Sequence, residues 1–271
     1  MKLHGKSILV TGAASGIGRA IARRVAAEGP SVVICVDKNE RGASEVSDDI
    51  AAGGTPSYSV AVDLADRDAI GLLAGVVKEE SGGIDVLFAN AGVSFGGGLD
   101  TLEEAWQASW DVNVMSQVRL ARNFLPGMIE RGGGYIVNTA SAAGLLTNLG
   151  ALSYAVTKHG SVALSEWIAI THGRDNIKVS VLCPMGVRTN MLFPEGGRQN
   201  EEHLLAQAAV LQAGDVLEPE QVADKVVQAM DAEEFLILPH EDVRGFYSFR
   251  ANDTGKWISA MARYQDRLAS D

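Results

Sequence analysis

Tyr154 and Lys158 stand four residues apart in the run Tyr-Ala-Val-Thr-Lys, a spacing that puts both side chains on one face of a helix. A phenol that titrates near ~10 is a poor base at neutral pH, but an ammonium beside it stabilises the phenolate and brings that value toward the working range. Such a pair can move a proton to or from an oxygen. Ser141, just after the apolar run from Tyr135 to Thr139, can donate to the same oxygen and fix its position. Asn113, in the helical stretch after Trp110, can connect Lys158 to solvent through a water. A Tyr-x-x-x-Lys spacing alone is common on helix surfaces. It gains weight from the serine at a strand end and from a second constellation near the N-terminus.

That second constellation is TGAASGIG, from Thr11 to Gly18. A chain that passes close to a pyrophosphate needs residues without side chains, and the helix that follows must offer its unpaired N–H groups to the phosphates. Gly12, Gly16 and Gly18 meet the first need, and Ser15 and Ile17 complete the loop expected against a dinucleotide. The same glycines would also serve a plain strand-to-helix turn. Position argues for the binding role, because the loop follows an apolar strand, Ser7 to Val10, and opens a helix on which Ile17, Ile21 and Val25 share a face. Asp37 falls 19 residues beyond Gly18, at the end of the second strand, where a carboxylate accepts from adenosine ribose hydroxyls and repels a 2′-phosphate. NAD is therefore expected over NADP, with Lys38 next door as the counterweight. Asp63 and Leu64 end the third strand and are expected to flank the adenine. Asn90, Ala91 and Gly92 end the fourth, where a dinucleotide crosses the sheet. Asp63 equally suits a cap on the helix that begins near Asp66.

These residues need a scaffold, and the chain supplies alternating strands and helices. Further strands are expected at Ser31–Val36, Tyr58–Val62, Val86–Ala89, Tyr135–Thr139, Val179–Cys183 and Phe235–Leu238, with helices between them, one burying Ile70, Leu73 and Val77 on a single stripe. Repeated βα units with nearly continuous apolar strands imply a Rossmann-type, doubly wound, parallel seven-stranded sheet with helices on both faces. The whole chain, 1–271, reads as one such domain. The stretch from Met191 to Gly214, within a region of about 186–215, breaks the pattern and reads either as a mobile cover over the site or as a solvated surface loop.

Composition narrows the functions. A net charge of −11 and no basic stripe argue against nucleic acid as a partner. The first residues lack a signal-peptide core and no segment has the apolar length to cross a bilayer, so a cytoplasmic location and no membrane partner are expected. Cys35 and Cys183 each lie in a strand-like run, as buried free thiols do. Five histidines, at positions 4, 159, 172, 203 and 240, show no metal-ligand spacing, and no metal is expected. The sequence around Ser141, TASAA, lacks the G-x-S-x-G elbow of a serine hydrolase.

Taken together, TGAASGIG, Ala89-Asn90-Ala91-Gly92, Asn113, Ser141, Tyr154 and Lys158 resemble the short-chain dehydrogenase/reductase family over about residues 5 to 240. The resemblance implies a tetrad of Asn113, Ser141, Tyr154 and Lys158, with Tyr154 as general acid/base and Lys158 also bonding the nicotinamide ribose. After the sixth strand it implies contacts to the nicotinamide from Pro184, Gly186, Val187 and Thr189; Met185 stands where the family has a glycine. The activity implied is NAD(H)-dependent interconversion of a secondary alcohol and its ketone. An NADP(H)-dependent ketone reductase and a nucleotide-sensing protein without turnover are the rival readings. The substrate wall is expected in Val93–Gly98, Ala142–Leu149 and Met185–Leu192, whose Phe95, Leu145, Leu146, Leu149, Met185 and Met191, with Phe193 beyond, point to a hydrophobic small molecule. The family also implies a homodimer or homotetramer, here through Val118, Leu120, Phe124, Leu164, Trp167 and Ile168. The C-terminal extension, about 240–271, departs from the family. Its Phe246, Tyr247, Phe249, Trp257 and Met261 suit a cover over the site, a partner contact, or packing on the chain's own sheet.

Overall fold

In a computed structural model that describes residues 1–194 and 201–269, strands and helices alternate as β1 (Ser7–Thr11), α1 (Gly16–Ala26), β2 (Val32–Asp37), α2 (Glu40–Ala52), β3 (Ser57–Ala61), α3 (Arg67–Ser81) and β4 (Val86–Ala89). The second half continues with α4 (Glu103–Trp110), α5 (Ser116–Glu130), β5 (Gly134–Thr139), the single turn α6 (Ala143–Leu146), α7 (Leu152–His172) and β6 (Ile177–Leu182). It ends with α8 (Glu201–Ala213), α9 (Pro219–Asp231), β7 (Leu236–Ile237), α10 (Glu241–Asn252) and α11 (Thr254–Leu268). The strands form one seven-stranded parallel sheet in the order β3-β2-β1-β4-β5-β6-β7. This is the expected doubly wound, single-domain architecture.

Period-two alternation divides the strand side chains between two cores. Ile8, Val10, Val33, Cys35, Val86, Phe88, Tyr135 and Val137 face one side, where Ile21 and Val25 of α1 and Val222, Val226 and Met230 of α9 cover them. Leu9, Ile34, Val36, Leu87 and Ile136 face the other, under Ile70, Leu73 and Val77 of α3, Leu120, Phe124 and Met128 of α5, and Ile168 of α7. Each fully buried aliphatic or aromatic side chain contributes about 1.5–3 kcal/mol. Leu120, Phe124 and Ile168 are thus spent on the chain's own core, and Leu164 packs against it, so the expected subunit contact loses four of its six residues. Val118 is half-buried, while Trp167 is 60% and Ile170 83% exposed.

Two local details differ from expectation. Asp66, rather than Asp63, caps α3, its carboxylate accepting from the N–H groups of Asp68 and Ala69; Asp63 accepts from Ala65. Between α4 and α5 the helix widens into a π turn, Asp111–Met115, at Asn113. Single π turns inside α-helices re-aim a side chain. Among the described residues no helix is long and apolar enough to cross a membrane.

Candidate active site

In a parallel sheet whose order reverses between β1 and β4, the ends of the strands splay around a crevice at that point. A cavity of about 760 Å³ opens there, lined from the carboxyl ends of six strands: Gly12 after β1, Asp37 at the end of β2, Asp63 after β3, Asn90 after β4, Ser141 after β5 and Pro184 after β6. Thr11 braces the reversal, its hydroxyl donating to the Phe88 carbonyl and accepting from the N–H groups of Asn90 and Ala91. The Asn90 amide donates to the Thr11 carbonyl and accepts from the Thr139 hydroxyl, which ties three strand ends together.

The glycine loop turns through φ +68° at Gly12 and +51° at Gly16, left-handed values that a Cβ disfavours. Gly18 answers a different need. A Cβ there would lie 2.1 Å from the Gly12 carbonyl oxygen, so only glycine lets α1 pack this close to the loop. Gly12, Ser15, Gly16 and Ile17 line the cavity, and Gly18 sits behind them. The Asp37 carboxylate accepts from the backbone N–H groups of Ala14 and Asn39 at 3.0 and 2.9 Å and is thereby fixed at the cavity edge beside Lys38. Leu64, Ala91 and Gly92 complete this half. The left-handed glycines, the open N-terminus of α1 and a carboxylate held at the β2 end fit a dinucleotide.

At the centre stand Ser141, Tyr154 and Lys158. The Lys158 ammonium is 2% exposed, donates to the Thr139 carbonyl at 2.8 Å and lies 5.6 Å from the Tyr154 ring centroid. Burial lowers its pKa to about 8. Burial also raises the Tyr154 phenol above its ordinary value, with a hydrogen bond from Ser141 opposing. The downward shift expected from Lys158 is not seen; burial dominates, and the group that opposes it is Ser141. Asn113 does not line the cavity. Its amide accepts from the Val93 N–H at 2.8 Å and donates to the Val93 carbonyl and the Thr157 hydroxyl. Its Oδ1 and the Lys158 Nζ both lie 3.2 Å from where a Cβ on Gly92 would stand, so glycine leaves room for both.

The outer half is closed by the C-terminal residues. Ala206, Gln207, Ala209 and Val210 of α8, Phe246 and Phe249 of α10, and Trp257, Met261 and Tyr264 of α11 line it together with Leu146, Leu149, Met185, Met191 and Leu192. Three polar ties seat these helices. His240, 6% exposed, accepts from the Met185 N–H on Nδ1 at 3.1 Å and so donates from Nε2 to the Gly186 carbonyl at 2.9 Å; burial lowers its pKa, which suits the neutral ring. Arg250 reaches the Leu145 carbonyl and the His159 ring. The Tyr264 hydroxyl donates to the Ala209 carbonyl.

Most of the expected cofactor residues converge on this cavity, including Pro184, Val187 and Thr189. Gly186 does not; its carbonyl serves His240 and the Leu217 N–H. Of the expected substrate wall, Leu145 points into a core with Val162 and Trp257, and Phe95 lies outside the lining. Phe193 lies outside it too, under the Arg188 guanidinium. Residues 195–200 of the expected lid lie outside the described residues. Thr11, Thr157, His240 and Arg250 were not anticipated. Cys35 and Cys183 are buried and unpaired, their thiols pushed up to about 11 and about 12 by burial. No metal-ligating cluster occurs among the described residues.

The fold and this cavity define a dinucleotide-binding protein of the doubly wound class. A family profile described as short chain dehydrogenase matches residues 6–200. The chain is 34% identical to meso-2,3-butanediol dehydrogenase of Serratia marcescens, over 82% of this chain and 86% of that protein. It is 30% identical to 1-deoxy-11-beta-hydroxypentalenate dehydrogenase of Streptomyces avermitilis, over 96% and 93%. A short-chain dehydrogenase/reductase from Burkholderia phymatum, solved in complex with NAD, superimposes with a TM-score of 0.85 at 29% identity, covering 94% of this chain and 95% of that one. The chain belongs to the short-chain dehydrogenase/reductase family of oxidoreductases.

Proposed function

We propose that the protein is an NAD(H)-dependent oxidoreductase that interconverts a hydrophobic secondary alcohol and its ketone. The observation that carries this reading is Tyr154, Lys158 and Ser141 converging between the glycine loop and an apolar outer chamber. A bound nicotinamide dinucleotide supplies or takes up the hydride. Gly12, Ser15, Gly16 and Ile17 would hold its phosphates, Asp37 its adenosine ribose, and Val187 and Thr189 its nicotinamide end. Tyr154 carries the proton. Its raised pKa keeps the phenol protonated and ready to donate to a ketone oxygen, while in the other direction the phenolate takes the alcohol proton. Ser141 holds that oxygen, and Asn113, held by Val93 and Thr157, bridges through a water to Lys158.

The names of the similar enzymes, a butanediol and a hydroxypentalenate dehydrogenase, support an alcohol substrate, and the neighbour in complex with NAD supports the cofactor. Asp37 supports NAD over NADP, because a 2′-phosphate would meet its carboxylate. Fluorescence titration should give at least tenfold tighter binding of NADH than of NADPH, about 1.4 kcal/mol, and Asp37→Ala should narrow the gap. Equal affinities would overturn the preference. Following NADH absorbance over a panel of bulky secondary alcohols tests the reaction itself; no turnover with any of them would remove it.

The reading includes a homo-oligomer. Trp167 and Ile170 remain exposed on α7, and large apolar residues gathered at a surface mark contact sites. Light scattering at micromolar concentration should give a multiple of 28.6 kDa. A mass equal to one chain would refute it.

A further inference from the structure

The cavity lining is electrically asymmetric. Among the described residues that line it, the only carboxylates are Asp37 and Asp63, both on the β2–β3 side, where the dinucleotide's adenosine is placed. The outer chamber lies toward β6 and has none. It has Arg267 instead. Trp257, Ala260, Met261, Tyr264 and Arg267 follow one another along a single stripe of α11, all lining the cavity. Trp257 belongs to the buried apolar cluster that includes Cys183 and Val181. Ten residues further on, about 15 Å along a helix axis, the stripe ends at Arg267. The guanidinium lies 5.5 Å from the Tyr264 ring centroid, and the Tyr264 hydroxyl is itself tied to α8. No ion pair engages Arg267 among the described residues.

An apolar chamber with the reacting groups at one end and a single positioned guanidinium at the other selects for a molecule of matching polarity. We infer that Arg267 is a specificity-determining residue that anchors the carboxylate of an apolar hydroxy- or oxo-acid, whose carbinol or carbonyl carbon is presented to Tyr154. This rests on the proposed alcohol–ketone reaction. An arginine presents a planar pair of donors that matches a carboxylate, and such charge-assisted bonds are the strong ones. Arg267 is solvent-accessible, so the attraction operates in part through water and weakens with salt.

The test uses (ω−1)-oxo fatty acids, with 9-oxodecanoate and its methyl ester as the central pair and shorter and longer homologues beside them. Calorimetric titration of the full-length protein should show the acid binding at least tenfold more tightly than the ester at low ionic strength, with the ratio shrinking in about 0.5 M salt. Arg267→Gln should remove the preference by weakening the acid alone, and Arg267→Lys should restore part of it. The melting temperature should stay unchanged, since the side chain packs into no core. Equal binding of acid and ester, or a preference that survives Arg267→Gln, overturns the inference. NADH-linked turnover of the neutral ester separates the two claims. If the ester is reduced and the acid has no advantage, the assignment to Arg267 fails and the alcohol–ketone reaction stands; if no acid, ester or neutral ketone is reduced, the reaction fails as well, while the binding ratio still decides Arg267.

Discussion

Tyr154→Phe is expected to lower turnover by about 10²–10⁴-fold, the usual loss when a general acid/base is removed, with NADH affinity unchanged within about twofold. The substitution deletes one oxygen and keeps the ring that faces Lys158. The fold should hold, because the ring keeps its place and the buried side chain stays uncharged in both forms, burial having raised the phenol's pKa. Steady-state kinetics with separate NADH titration checks both halves, and a variant retaining most of its activity would place the proton elsewhere. The wild-type pH profile carries the same signature. A phenol raised above its ordinary value serves reduction across neutral pH, whereas oxidation needs the phenolate, so kcat for oxidation should climb with pH while kcat for reduction does not.

Lys158→Met should reduce kcat/KM by about 10²-fold or more and weaken NADH binding by about tenfold, because the family resemblance implies that one ammonium serves both the proton path and the nicotinamide ribose. Stability should move the other way. Lys158 is 2% exposed and its pKa is lowered to about 8, so the folded chain holds a charge at a cost. A methionine of similar length avoids that cost, and the melting temperature should stay level or rise. Thermal unfolding beside kinetics tests the pair of outcomes. A marked fall in melting temperature would mean that the Thr139 contact made by Lys158 is structural first.

The elements that were legible in the sequence carry a periodic signal. The seven strands appear as short apolar runs, and the glycine loop is readable because left-handed turns at Gly12 and Gly16 favour glycine and the contact of Gly18 with the loop carbonyl excludes a Cβ. Tyr154 and Lys158 are neighbours by helical geometry alone. Residues that act through distant backbone leave no such trace. Thr11 and His240 are ordinary in sequence, and each gains its place from partners brought together by the strand crossovers. The π turn at Asn113 is equally silent, since the stretch reads as continuous helix. Leu145 and Phe95 lie outside the cavity lining, because apolar type marks burial and does not say which side of a loop is buried.

The helices after β7 have a consequence for how such an enzyme diversifies. The matched family region ends at residue 200, whereas Phe246, Phe249, Trp257, Met261, Tyr264 and Arg267 come from the last thirty residues or so and still reach the same chamber. The chamber wall is thus shared between the matched region, which gives Leu146, Leu149, Met185, Met191 and Leu192, and the segment beyond it. In the proposed enzyme, a change in the terminal segment would therefore reshape one wall of the chamber while Tyr154, Lys158 and Ser141 stay in place, provided that it keeps its three fasteners, His240, Arg250 and Tyr264.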